Sequence, residues 1–233
     1  MRIGHCQVQP VFGDFDGCLA KLVGGLEKAE IERVEIVSFP ECFFCGYYDR
    51  EEPAREHAFP VESPQVRAIL QETRHFSATF IVGFNEVRGP DLYNTAMIVK
   101  QGELLGTYSK SCAYMPFHKQ GRSFPVFERS GVKFGVIICA DGGYIEPARI
   151  LALKGARIIF APHANYIGAH HLIGHFMRVR RDHAARATEN DVWFVRGCDV
   201  ILETPNPAAS HEGVGYGDSY IMDPSGEIVV RSR

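Results

Sequence analysis

The sequence predicts an α/β fold in which mixed sheets carry helices on their outer faces. Three observations predict it. Apolar runs with no polar face, such as residues 134–138, suit strands buried on both sides. Segments with apolar residues at helical spacing alternate with such runs in the first and third quarters of the chain. Two hairpin signals, Gln101-Gly102 and Pro224-Ser225-Gly226, break that alternation, which argues against one doubly wound parallel sheet.

The elements follow in order. Residues 2–9 read as a first strand. Leu19, Leu22, Val23, Leu26 and Ala29 form a helical stripe over 16–31. Residues 35–39 are a second strand, closed by Pro40-Glu41. Residues 42–58 hold Phe43, Phe44, Tyr47 and Tyr48 without a period, which reads as a loop beside a pocket. Ser63-Pro64 starts a helix reaching His75, with Ser as cap and Pro at the first helical position. Residues 79–84 are a strand, and 93–100 with 103–108 make the first hairpin. Residues 109–127 read as irregular. A turn at Ser130-Gly131 leads into the strand 134–138. A helix then opens at Tyr144, continues through Ala148, Leu151 and Ala152, and stops at Gly155. A strand over 157–161, a helix over 173–190 and a strand over 192–198 come next. Residues 204–217 read as a loop, and 219–222 with 227–230 as the second hairpin.

The 233 residues show no linker or repeat and are enough for one domain with a full core. A net charge of −3 gives no general attraction to nucleic acid or anionic membrane. No apolar run approaches a membrane span, and MRIGHCQVQP reads as a strand rather than a signal peptide. The seven cysteines lack disulfide-framework spacing, so reduced thiols and a cytoplasmic location are expected.

Cys139 stands where the buried strand turns into a helix through Ala140-Asp141-Gly142-Gly143. Such an elbow exposes a nucleophile at a sheet edge and aims freed N–H groups at developing negative charge. Glu41 and Lys110 also sit just beyond strands. A carboxylate in an apolar wall can shuttle protons, and a lysine beside it favours thiolate and stabilises an oxyanion. Each residue also has a plain reading, since free cysteines are often buried and charged groups at strand ends are usually solvated.

Taken together, these segments resemble the nitrilase superfamily of carbon–nitrogen hydrolases over nearly the whole chain. Phe39-Pro40-Glu41, Tyr108-Ser109-Lys110 and GVIICADGGYIEPAR are similar to its three catalytic segments. GARIIFAP, AARATEN and GDSYIMDPSGEIV are similar to structural segments that follow. The resemblance implies a four-layer αββα sandwich over residues 1–233 and a catalytic triad of Glu41, Lys110 and Cys139. It implies that the Ala140 N–H helps Lys110 hold an oxyanion, with no cofactor or metal. Further substrate-binding candidates are Tyr47, Tyr114, His118 and Asn165. Cys139 would attack a small amide, N-carbamoyl compound or nitrile, and water would hydrolyse the thioester. A homodimer or larger homo-oligomer is implied, and the helix over 173–190 adds a reason, because Ile173, Phe176 and Val179 lie beside many arginines.

There are three departures from the family pattern. No Glu or Asp lies in CAYMPFHKQGRSFPVF, where resembling chains carry a second glutamate, so Tyr114, His118 or Gln120 takes its place. Ile145 and Pro147 replace the usual order around Glu146. The chain ends at Arg233, soon after the late hairpin, which reads as a fragment or a short member. The missing glutamate motivates a rival reading, a catalytically silent binding subunit; the intact Glu41, Lys110 and Cys139 argue against it. A papain-like hydrolase ranks lower, because its cysteine follows a loop rather than a buried strand. Ala140, where nitrile hydrolases carry Trp, favours amides. Gly142 and Gly143 offer no carboxylate clamp, so neutral amides held by Phe43, Phe44 and Tyr47 fit unless Arg122, Lys119 or a histidine supplies one. The Cys42-Cys45 pair lacks the setting of a redox motif, and His171 with His175 lacks the partners of a zinc site.

Overall fold

A computed structural model describes residues 1–202 and 205–232. Sheet one runs β1 (Ile3–His5), β2 (Ile36–Ser38), β3 (Thr79–Arg88), β4 (Asp91–Lys100) and β5 (Glu103–Ser109), in that spatial order. Its first three strands are parallel and the rest antiparallel. Helices α1 (Phe15–Ile31) and α3 (Pro64–Thr73) cover its outer face. Sheet two takes in β6 (Val126–Arg129), β7 (Val132–Val136), β8 (Ile158–His163), β9 (Trp193–Cys198), β12 (Tyr220–Met222) and β13 (Ile228–Arg231). There β7, β8 and β9 are parallel, while β6, β12 and β13 pair antiparallel on the flanks. Helices α4 (Ile145–Leu153) and α5 (Leu172–Asn190) pack on its outer face.

Alternation along the strands explains the four layers. Phe80, Val82 and Phe84 of β3 point to α1 and α3, while Ile81 points inward to Phe134, Val136, Ile138 and Phe160 of the other sheet. Ile137, Ile159 and Ala161 point the other way, onto α4 and α5. Both faces of these strands are buried, which is why they carry no polar side. The result is the αββα sandwich that the resemblance implies. None of the helices is long and apolar enough to cross a membrane among the described residues.

Local chemistry set several boundaries correctly. Asp14 caps α1 through Gly17 N at 3.0 Å, and Ser63 caps α3 through Val66 N at 3.2 Å. Gln101 and Gly102 both have positive φ, as a two-residue hairpin turn requires. Other boundaries differ. A six-residue helix, α2 (Glu51–Glu56), lies within the expected loop 42–58; it is too short to show a period. Strand β6 begins at the end of the stretch read as irregular, at Val126, and pairs with β7 across the Ser130-Gly131 turn. Strand β3 runs on to Arg88, because Asn85 and Glu86 keep pairing with β4 although they end the apolar run. Short strands β10 (Val200–Ile201) and β11 (Gly215–Tyr216) pair across the expected loop 204–217. Thr204, where that loop was expected to begin, and Arg233 lie outside the described residues.

Candidate active site

Three chain segments leave the two sheets and meet between them. Beyond β2 the chain turns through Pro40, and the backbone of β3 lies directly against this turn. A Cβ on Gly83 would fall 2.4 Å from Cys42 N and 2.9 Å from Pro40 O, so only glycine fits there. The Glu41 N–H donates to His163 O at the end of β8 (3.3 Å), which ties the turn to the second sheet. Lys110 follows β5, and its N–H donates to Asn94 O of β4 at 2.9 Å.

The two side chains form a pair that water does not reach. Lys110 Nζ lies 2.6 Å from Glu41 Oε1, with the side chains 1% and 0% exposed. Burying such a pair costs several kcal/mol per ion and is sustained only where further hydrogen bonds satisfy the remaining lone pairs (a rough scale). Glu41 has these. Asn94 Nδ2 donates to Oε1 at 2.7 Å and the Ala164 N–H donates to Oε2 at 2.9 Å. For Lys110, burial works against the charge, but Glu41, then Cys139 and Tyr47, outweigh it and raise its pKa well above the ordinary lysine value. It remains an ammonium.

Cys139 stands at the elbow with φ +47°, the left-handed region that costs a non-glycine residue roughly 1–2 kcal/mol. A short 3-10 turn, Cys139–Gly143, separates β7 from α4, so the helix starts at Ile145 rather than Tyr144. Asp141 fixes the turn. Its Oδ2 accepts from Ile138 N (2.8 Å) and Tyr108 OH (2.7 Å), and its Oδ1 from Cys112 N (2.7 Å) and Ser111 Oγ (2.9 Å). One buried carboxylate thus binds the residue before the nucleophile to residues on both sides of Lys110. Burial, then the charge of Glu41, pushes the Cys139 thiol up to about 12, although Lys110 opposes them. The lysine was expected to favour thiolate; the resting group is a thiol that needs a base.

The remaining candidates divide. Tyr47 belongs to the site. Its ring lies 5.7 Å from Lys110 Nζ, and burial raises its pKa well above the usual phenol value, with Lys110 opposing and Glu41 and Cys139 adding to the rise. His118 is buried beside Lys110. Its Nε2 pairs with Asn85 Oδ1 at 3.0 Å, and burial, then the lysine charge, lowers its pKa to about 4. Ala140 lies in the 3-10 turn directly after Cys139. Asn165 follows the residue that grips Glu41, but its side chain turns to Cys198 Sγ (3.3 Å). Tyr114 is 74% exposed and stands outside this network, so of the three residues considered for the second glutamate, His118 is the one that is buried and within reach of the lysine charge.

One expectation about the pocket changes. Phe43 and Phe44 are fully buried in the core under α1, where Phe44 stacks on Phe15 at 5.2 Å, and they hold no substrate. Lys119 and Arg122 line a cavity of about 560 Å³ with Arg88, Tyr93, His118, Gln120 and Gly121, so they share a wall with a candidate residue of the site. Sequence reasoning missed Asn94 and Ala164. Asn94 sits mid-strand beside Thr95 with no charge to mark it, and Ala164 contributes only a backbone N–H.

Comparison with known proteins agrees with the layers. The sequence profile of the carbon–nitrogen hydrolase family matches residues 2–233. The chain is 28% identical over 240 residues to a glutamine-dependent NAD(+) synthetase from Thermotoga maritima, covering 98% of this chain and 39% of that protein. It is 28% identical to a nitrilase from Pyrococcus abyssi, covering 98% of this chain and 84% of the relative. Among solved structures, an amidase from Nesterenkonia sp. AN1 matches with a TM-score of 0.82 at 20% identity, covering 100% of this chain and 86% of that one. At that identity the likeness speaks for the fold alone. A profile match across nearly every residue, on an αββα sandwich of nitrilase type, places this chain in the carbon–nitrogen hydrolase family, within the nitrilase superfamily.

Proposed function

We propose that the protein hydrolyses the carbon–nitrogen bond of a small amide or N-carbamoyl compound through a thioester on Cys139. The observation that carries this reading is the buried Lys110–Glu41 pair, closed at 2.6 Å beside a cysteine at a left-handed elbow. Glu41 takes the thiol proton as sulfur attacks the carbonyl carbon. Lys110 and the Ala140 N–H stabilise the oxyanion. Glu41 returns the proton to the leaving nitrogen, then activates water against the thioester. The Nesterenkonia amidase, whose E41Q mutant is described with the acetamide moiety of fluoroacetamide added to its active-site cysteine, supports a cysteine as the nucleophile. Ala140 beside the nucleophile, where the resembling nitrile hydrolases carry Trp, favours an amide over a nitrile.

The test is ammonia release from primary amides, L-glutamine, N-carbamoyl amino acids and nitriles. Glutamine and nitriles belong in the panel because the two relatives above bear those names. Faster kcat/KM on neutral amides is expected, and Cys139→Ala should abolish it. Turnover by Cys139→Ala within about tenfold of the parent would remove the cysteine from the chemistry.

A further inference from the structure

Glu41 has two oxygens in different surroundings. Oε1 accepts from Lys110 Nζ (2.6 Å) and Asn94 Nδ2 (2.7 Å), while Oε2 accepts from the Ala164 N–H alone (2.9 Å). A carboxylate oxygen offers about two lone-pair sites. Both sites on Oε1 are therefore occupied by donors, and one on Oε2 is open. We propose that Asn94 is a positioning residue that, with Lys110, fills Oε1 and so makes Oε2 the oxygen that exchanges the proton with Cys139.

The orientation of Asn94 is fixed by charge. A flipped amide would set Oδ1 against the carboxylate. In the observed orientation Asn94 is fully buried and its Oδ1 has no partner. An unpaired buried carbonyl is destabilising. The side chain leaves its own acceptor unpaired while its amide end grips Glu41, and its backbone O accepts the N–H of Lys110. Asn94 thus holds both members of the pair.

The step balances within the protein. The S–H bond of Cys139 breaks and sulfur keeps the electron pair. The proton forms an O–H bond on Oε2, and it leaves later on the departing nitrogen. Lys110 keeps its charge throughout. Other titratable groups whose charges act within this cluster include Tyr47 and Cys42 from the loop after β2, His118 from the loop after β5, His163 at the end of β8, Arg196 on β9 and Asp199 after it. None of these side chains is hydrogen-bonded to the Glu41 carboxylate, so Asn94 is the uncharged side-chain donor whose removal acts on it directly.

The inference rests on the Cys139–Glu41 reading above, so its test includes a readout without turnover. Loss of the Asn94 donor favours the protonated form of the Glu41–Cys139 pair. In Asn94→Leu, the acidic limb of kcat/KM should move up by about one pH unit, roughly a tenfold loss at a pH on that limb. The acidic limb of Cys139 alkylation by iodoacetamide, followed by mass on its peptide, should move with it. Asn94→Asp keeps the shape and guards against misfolding; it places a second carboxyl beside Glu41 and should shift both limbs further. Unmoved limbs in both folded variants would overturn the role of Asn94, whatever the parent hydrolyses. A parent that alkylates at Cys139 with the expected shift yet hydrolyses nothing in the panel would overturn the proposed function and leave the Asn94 assignment supported.

Discussion

Asp141→Asn is the sharpest perturbation of the elbow. The change replaces one oxygen by NH2 and preserves shape. Each Asp141 oxygen faces one backbone N–H and one hydroxyl: Ile138 N and Tyr108 OH at Oδ2, Cys112 N and Ser111 Oγ at Oδ1. A hydroxyl can rotate to accept from the new NH2, but a backbone N–H cannot. Either amide orientation therefore sets a donor against a buried backbone donor. One hydrogen bond to a charged group is lost, about 1.5–3 kcal/mol, and one buried N–H is stranded, about 1–3 kcal/mol more. The sum, about 2.5–6 kcal/mol, is a large part of a typical stability of roughly 5–15 kcal/mol. For a chain of this length it should lower Tm by about 5–24 °C. Thermal unfolding followed by circular dichroism measures it. The elbow and the Lys110 segment also lose their shared anchor, so kcat should fall together with Tm. A variant that melts within about 3 °C of the parent and keeps its kcat would show that Asp141 is not the clamp.

Two other outcomes are expected. Glu41→Gln removes the charge that, after burial, does most to hold the Cys139 thiol near 12, and leaves Lys110 unopposed. A raised thiol pKa keeps the thiol protonated below it, so the titration should move to lower pH, read as the pH dependence of alkylation. Turnover should meanwhile fall roughly 10²–10⁴-fold for want of the base; a thiol titration that stays in place would mean the carboxylate does not act on the sulfur. Helix α5 exposes Ile173 (76%) and Met177 (51%) one turn apart, so self-association through this helix is expected, with light scattering at micromolar concentration giving at least a dimer. A monomeric parent would count against it.

The layers were legible because the strands advertise them. A run such as Phe134–Ile138 in sequence has no polar side, which holds only where both faces are covered. Glu41, Lys110 and Cys139 each stand just past a strand, where a solvated charge or a buried thiol is also ordinary, and it was the resemblance to three catalytic segments that singled them out. What was not legible depends on the path of the chain in space. Phe43 and Phe44 are as apolar as a pocket wall or a core, and only the position of α1 decides between them. Tyr114 and His118 are four residues apart in an irregular loop, and one is exposed while the other is buried against Asn85. Asn94 looks like any interrupted strand until Glu41, 53 residues away, is placed beside it.

The left-handed backbone at Cys139 bears on how such a protein can be improved. The strain disappears if the residue is glycine, the one side-chain choice free at φ +47°. A search that ranks variants by melting temperature alone will therefore be drawn toward Cys139→Gly, a more comfortable chain with no sulfur. The same pull exists at Asn94, whose unpaired carbonyl an apolar residue would eliminate. Stabilising campaigns on this scaffold need a thiol-reactivity screen run alongside the thermal one, because the positions most tempting to repair are those where discomfort is part of the work.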